Sequence, residues 1–229
     1  MPAPAPKGPL AERRRRLAEA RLYFVCEARP NGEDPSPLLE AALAGGVDLI
    51  QLRDKHGDDE QLIAAAPAFA AAAARHGALF FLNDRPDLVV PCGADGVHVG
   101  QDDLAVADAR RLAGPGALVG LSTHSPAQFD AAISARGEAR ADQLSVGPVW
   151  QTPTKPGRPA AGIELVAHAA AAGPGTPWFA IGGIDLGNIG GLVAAGARRV
   201  VVVRAIRDAS DPREAAARLR AALEQPPPV

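Results

Sequence analysis

In the stretch QLRDK, Gln51, Arg53 and Lys55 occupy alternate positions, and an extended backbone sends all three toward one side. Two cations and an amide aimed at one place can grip a phosphate, the guanidinium as a planar fork and the ammonium as a point charge. An exposed basic strand end accounts for the same stretch equally well. Further along, NDRPD offers Asn83 and Asp84, and HVGQDD offers Asp102 and Asp103. Asn83 and Asp84 suit a turn before Pro86. Yet Asp84 and Asp103 each follow a strand end in adjacent units. Two hard carboxylates beside a phosphate grip are what a Mg²⁺ shared with a diphosphate requires, because Mg²⁺ keeps several waters. Asp102 is the alternative to Asp103, or a cap for the helix after it.

GLSTH presents Ser122 as a hydroxyl donor and His124 as an unassigned imidazole. No G-x-S-x-G surrounds the serine, so a nucleophilic triad is not expected. His98 alternates with apolar neighbours and reads as a satisfied interior histidine. No His pair brackets a glutamate at helical spacing, which argues against a zinc hydrolase. In AIGGI, Gly182 and Gly183 let backbone N–H groups approach an anion, and Asp185 is positioned to cap the next helix. GPVWQTPTKPGRP carries Thr152, Thr154 and Lys155 on a loop whose prolines limit its unfolded freedom. The expectation is a lid that brings Lys155 to an anionic substrate.

Elements able to position these groups follow from the hydrophobic pattern. Strands are expected at LYFVC, VDLIQLR, ALFFLN, DGVHVG, ALVGLS, DQLSVGPV, PWFAIGG and RRVVVVRAI, each followed by a helical segment, that after Asn83 being the shortest. Eight βα units in 229 residues, with no composition break, predict an α/β fold, a (β/α)₈ TIM barrel with a short N-terminal helix. The first βα turn lacks G-x-G-x-x-G, which argues against a doubly wound sheet. In a barrel the chemistry sits at the C-terminal strand ends, with phosphate customarily bound after strands seven and eight. The expected division is a basic segment over 1–20, one catalytic domain over 21–224 and a loose tail over 225–229.

Composition narrows the class. A net charge of −2 gives no global attraction to nucleic acid or membrane, and the two cysteines fit neither a disulfide framework nor zinc. The four arginines Arg13–Arg16 lack the apolar stretch of a secretory signal and read as a short basic helix. LIAAAPAFAAAAA is too short and weakly apolar to span a bilayer. A cytoplasmic protein acting on small molecules is expected.

QLRDK, NDRPDL, GADGVHVGQDDL, GLSTHS, GPVWQTPTK and AIGGI, in this order, resemble the thiamine-phosphate synthase family over most of the chain. The resemblance implies coupling of 4-amino-2-methyl-5-hydroxymethylpyrimidine diphosphate to 4-methyl-5-(2-phosphooxyethyl)thiazole, with release of pyrophosphate. It assigns Gln51, Arg53, Lys55, Asn83, Ser122 and Lys155 to the pyrimidine diphosphate, with Lys155, Arg53 and Ser122 as the catalytic set. It assigns Asp84 and Asp103 to Mg²⁺, and Thr152, Thr154, Gly183, Val203 and Arg204 to the thiazole phosphate. Arg204 stands where the family often has serine, and Trp150-Gln151 where an aromatic-Pro or aromatic-Ala pair is usual. A thiazole tautomerase-like relative and a non-catalytic phosphometabolite-binding protein are the rival readings. The oligomeric state is left open, a homo-oligomer included.

Overall fold

The computed structural model describes residues 9–54, 57–152 and 159–224. The expected strands form β1 (Leu22–Cys26), β2 (Leu49–Leu52), β3 (Leu79–Asn83), β4 (Gly96–Val99), β5 (Leu118–Thr123), β6 (Gln143–Val146), β7 (Trp178–Ile181) and β8 (Val200–Val202). Each pairs in parallel with the next, and β8 pairs with β1, closing the barrel. Both faces are buried, which is why the strands read as apolar runs rather than as alternating patterns.

Along β1 the pleat sends Phe24 outward to the helices and Tyr23 and Val25 inward. The lower interior is filled by Tyr23, Leu49, Leu79, Phe81, Leu118, Phe179 and Val201. Tyr23 meets Phe179 edge-on at 5.6 Å and Phe81 at 6.4 Å between centroids. A packed floor of this kind leaves chemistry to the upper rim.

The outer layer consists of α2 (Ser36–Ala44), α3 (Asp59–His76), α4 (Val106–Ala113), α5 (Pro126–Ser134), α6 (Gly162–Ala172), α7 (Ile189–Ala194), α8 (Arg204–Arg207) and α9 (Pro212–Glu224). The Ala-rich run lies in α3, which is capped by Asp58 accepting from the Gln61 N–H and ends at Gly77 with φ +67°. Among the described residues no helix is long and apolar enough to cross a membrane. The final helix begins as expected, with Pro212 opening it and Asp211 Oδ1 accepting from Glu214 N at 2.9 Å.

Before the barrel, α1 (Leu10–Glu19) lies beneath it, and its Leu17, with the adjoining Ala20, completes the inner core. The arginine run belongs to this helix. Arg13 is buried, its Nε 3.8 Å from Asp95 Oδ1, and it also donates to the Gly116 carbonyl. Arg14 pairs with Asp142 at 2.9 Å, and Arg16 donates to Ala78 O at 2.7 Å. Arg15 bridges Glu12 and Glu19 on its own helix.

Three expectations are corrected. After β3 the chain makes a 3₁₀ turn (Pro86–Leu88) in place of a helix, because the segment before β4 is short. Strand eight stops at Val202; Val203 turns at φ −121° and ψ −86°, and Arg204 opens the one-turn α8. Asp185 caps no helix: it accepts from Gly187 N at 2.8 Å, and α7 begins after Asn188.

Candidate active site

Arg53 leaves the sheet just after β2, and its N–H donates to Cys26 O at 2.9 Å. Burial pushes the guanidinium pKa down, while the Asp84, Glu27 and Asp54 carboxylates pull it back up. The group stays charged at any physiological pH. Its Nη2 is buried without a hydrogen-bond partner among the described residues. A desolvated cation with an unmet donor is shaped to receive an anion.

Below it, Gln51 is buried and donates through Nε2 to the Tyr23 hydroxyl at 2.5 Å. Gln51 thus points into the barrel, toward Tyr23. Lys55 lies outside the described residues.

At the end of β3, Asp84 adopts φ +59°, a left-handed conformation uncommon outside glycine and one that recurs at functional sites. Its N–H donates to His98 O at 2.9 Å, and its Oδ2 accepts from Asn83 Nδ2 at 2.6 Å. Asp103 is exposed after β4 and accepts from Gly100 N at 2.8 Å. Asp102 is not a helix cap, because α4 begins after Ala105 with no side-chain cap. Arg85, adjacent to Asp84, is turned to Asp59 and Asp87.

Ser122 is buried near the end of β5, with Oγ 2.9 Å from His98 Nε2 and its carbonyl accepting from Gln101 Nε2 at 2.6 Å. His98 is satisfied inside the barrel, as expected. His124 is committed too, its Nδ1 2.5 Å from Gly147 O.

The loop after β6 is gathered at a neck: Ala161 N donates to Pro148 O at 2.7 Å and Gly162 N to Val149 O at 3.2 Å. One side of this neck is bound to β7, since Val149 N donates to Ile181 O at 2.8 Å and Trp150 N to Gly182 O at 3.2 Å. Gly182 (φ +107°) and Gly183 (φ +68°) make this approach feasible, for a Cβ on Gly182 would stand 2.5 Å from Pro148 Cβ. Thr152 is half-buried beyond the neck, whereas Thr154 and Lys155 lie outside the described residues. At the far rim Val203 packs on the inner core and Arg204 is exposed.

Two groups escaped the sequence reading. Glu27 follows β1 and accepts from Arg207 Nη1 at 2.7 Å, yet its Oε2 is buried with no hydrogen-bond partner among the described residues. Gln143 reaches His98 at 2.8 Å inside the barrel. The phase of β1 was the available signal for Glu27, because Tyr23 and Val25 point inward. Nothing in the sequence isolates Gln143. Cys26 and Cys92 are buried, which pushes their thiols up to about 12 and about 11, so neither is a nucleophile at neutral pH. Among the described residues no group of three or more His, Cys, Asp or Glu is placed to hold a metal.

A closed parallel barrel whose C-terminal mouth gathers a desolvated arginine, strained carboxylate turn and paired glycines defines a class: (β/α)₈ enzymes acting on phosphorylated small molecules. The sequence model of one such family, thiamine monophosphate synthase, matches residues 22–206. The chain belongs to that family. It is 53% identical over 216 residues to the thiamine-phosphate synthase of Saccharopolyspora erythraea, covering 92% of this chain and 96% of that protein. It is 50% identical over 227 residues to the enzyme of the same name from Arthrobacter sp. strain FB24, covering 91% and 96%. The solved structure of a thiamine phosphate pyrophosphorylase from Pyrococcus furiosus superposes with a TM-score of 0.79 at 27% identity, covering 91% of this chain and 97% of that one.

Proposed function

We propose that the chain joins 4-amino-2-methyl-5-hydroxymethylpyrimidine diphosphate to 4-methyl-5-(2-phosphooxyethyl)thiazole, giving thiamine phosphate and pyrophosphate, with residues 21–224 as one catalytic domain. Family membership and relatives at half identity over nearly the whole chain support the reaction. Arg53 is the observation that carries the site, a buried guanidinium with a donor unspent at the strand-two end.

In this reading Arg53, Lys55 and Lys155 hold the diphosphate, and Ser122 donates its hydroxyl hydrogen to a diphosphate oxygen. Asn83 orients Asp84 and contacts the pyrimidine diphosphate, and Gln51 supports the pyrimidine from below. Asp84 and Asp103 suit Mg²⁺: both are hard oxygen donors, and two carboxylates suffice for an ion that takes its remaining ligands from water and diphosphate. When bound, Mg²⁺ supplies Lewis-acid neutralisation of the diphosphate charge. The methylene carbon–oxygen bond breaks, its electron pair leaving with pyrophosphate, and the electron-rich aminopyrimidine stabilises the cationic methylene. The thiazole nitrogen lone pair then forms the new carbon–nitrogen bond. That nitrogen carries no proton, so no general base is required, and every catalytic contribution is electrostatic. Thr152, Thr154, the Gly183 backbone, Val203 and Arg204 bind the thiazole phosphate at the opposite side of the mouth.

The test is pyrophosphate release by purified protein with both substrates and Mg²⁺, and with each omitted in turn. Release that needs all three, with thiamine phosphate formed in equal amount, is expected. A folded protein that binds thiazole phosphate but releases nothing would refute the coupling reading in favour of a tautomerase-like or binding role.

A further inference from the structure

Under Ser122 lies a buried polar layer that crosses three adjacent strands. His98 on β4 and Gln143 on β6 both register against Gly120 on β5. Any side chain at position 120 would separate them, because a Cβ there would stand 2.1 Å from Gln143 Nε2 and 2.4 Å from His98 Nδ1. With glycine between them the amide reaches the imidazole, Gln143 Nε2 lying 2.8 Å from His98 Nδ1. The other ring nitrogen, Nε2, is 2.9 Å from Ser122 Oγ, and Ser145 Oγ stands 3.4 Å from both.

With the Gln143 amide nitrogen toward the ring, and Oε1 buried without a hydrogen-bond partner among the described residues, that nitrogen can only donate, so His98 Nδ1 accepts and the neutral ring carries its proton on Nε2. This is the reverse of a hydrolytic triad, where the imidazole accepts the serine proton. Here the ring donates to Ser122 Oγ and leaves the serine's own hydrogen to point elsewhere. We propose that His98, held by Gln143 across Gly120, is a positioning residue that aims the Ser122 hydroxyl hydrogen at the departing diphosphate. The proposal rests on the coupling reading. His98 also serves Asp84 through its main-chain carbonyl, a contact that side-chain substitution leaves in place. One residue thus links the turn assigned to Mg²⁺ with the hydroxyl donor.

The experiment has a spectroscopic arm and a kinetic arm. Whole protein labelled with ¹⁵N-histidine gives the His98 tautomer by long-range ¹H–¹⁵N correlation at pH 8, assigned by the signal lost in His98→Gln. The Nε2–H form is expected; the Nδ1–H form, which the opposite amide orientation of Gln143 would produce, overturns the proposal. In the kinetic arm, Ser122→Ala lowers kcat for pyrophosphate release by about a hundredfold, the scale of one lost transition-state donor. His98→Ala lowers kcat by roughly a tenth of that factor with KM for the pyrimidine diphosphate nearly unchanged, the pattern of an interaction realised in the transition state. His98→Gln, which keeps a donor and an acceptor, restores most of the loss. The double variant His98→Ala/Ser122→Ala is no slower than Ser122→Ala alone. Additive losses, or a Gln variant as slow as Ala, overturn the role of His98 while leaving coupling intact. A wild type that releases no pyrophosphate overturns the coupling reading itself.

Discussion

The two mouths of the barrel employ arginine in opposite ways. At the lower mouth Arg13, Arg14 and Arg16 are spent on carboxylates and carbonyl oxygens at the strand starts. In the cavity of about 350 Å³ between α1 and the starts of β6 and β7, the lining arginines are also engaged: Arg14 holds Asp142, and Arg140 Nη2 donates to Thr176 Oγ1 at 3.2 Å. At the upper mouth Arg53 Nη2 and Glu27 Oε2 are buried with no hydrogen-bond partner among the described residues; at the lower mouth Arg13 Nε is as well, but it lies 3.8 Å from the Asp95 carboxylate and the same guanidinium donates to main-chain carbonyls. Burying a polar atom unmatched costs roughly 1–3 kcal/mol. The lower arginines are therefore held by carboxylates and carbonyls of the fold itself, whereas at the upper mouth the terminal Nη2 donor of Arg53 stays unmet among the described residues.

That contrast breaks if arginine removal acts alike at both ends. Arg13→Met is expected to have the largest effect, lowering unfolding free energy by about 3–5 kcal/mol because Asp95 is left buried without its cation. Urea denaturation measures this, and the variant's turnover per folded molecule should match wild type. Arg53→Met is expected to do the reverse. Coupling, read as kcat/KM, falls by about a hundred- to a thousandfold, while the denaturation midpoint stays level or rises, since a desolvated and partly unmatched charge has been removed. A large stability loss in Arg53→Met would mean that the upper cation is also structural.

Much of the barrel was legible because its strands, buried on both faces, appear as short apolar runs between turn residues. The rim was legible for a related reason: Arg53, Asp84, Ser122 and Gly183 each stand at or just past the end of such a run. What the sequence concealed is partnership at a distance. Arg13–Arg16 read as a short basic helix, which they form, but its tertiary partners did not show: Arg13 meets the Asp95 carbonyl 82 positions away and Arg14 meets Asp142 128 positions away. Glu27 was overlooked because the first βα turn was judged by its missing glycine fingerprint rather than by the inward phase of β1. Gln143 and His98 touch only because Gly120 between them has no side chain, and three strands must be in register before that is visible.

A smaller effect sharpens the assignment of the carboxylate turn. Asp84→Asn keeps a residue that tolerates the left-handed backbone, so the fold should be unchanged. It removes one negative charge from the Mg²⁺ site, and the Mg²⁺ concentration needed for half-maximal pyrophosphate release should rise by about tenfold or more. Superimposable Mg²⁺ curves for variant and wild type would remove Asp84 from the metal site.

Arg15 gives the smallest expected change and tests whether the lower mouth depends on the whole arginine run or on particular members of it. It alone of the four finds its ion-pair partners within α1, in Glu12 and Glu19. Those contacts are exposed, so water and salt screen them. Hydrogen bonding to Arg15 holds the Glu12 carboxyl below its usual range. A lowered carboxylate pKa contributes stability that is present above the unfolded value of about 4.3 and is lost as pH falls through the folded value. Arg15→Gln should therefore lower Tm slightly at pH 7 in dilute buffer, less at high salt, and progressively less as the pH falls and Glu12 takes up its proton. A shift undiminished by acid and by high salt would show that Arg15 acts through packing of its side-chain stem, and the lower mouth would then owe its closure to the entire helix face.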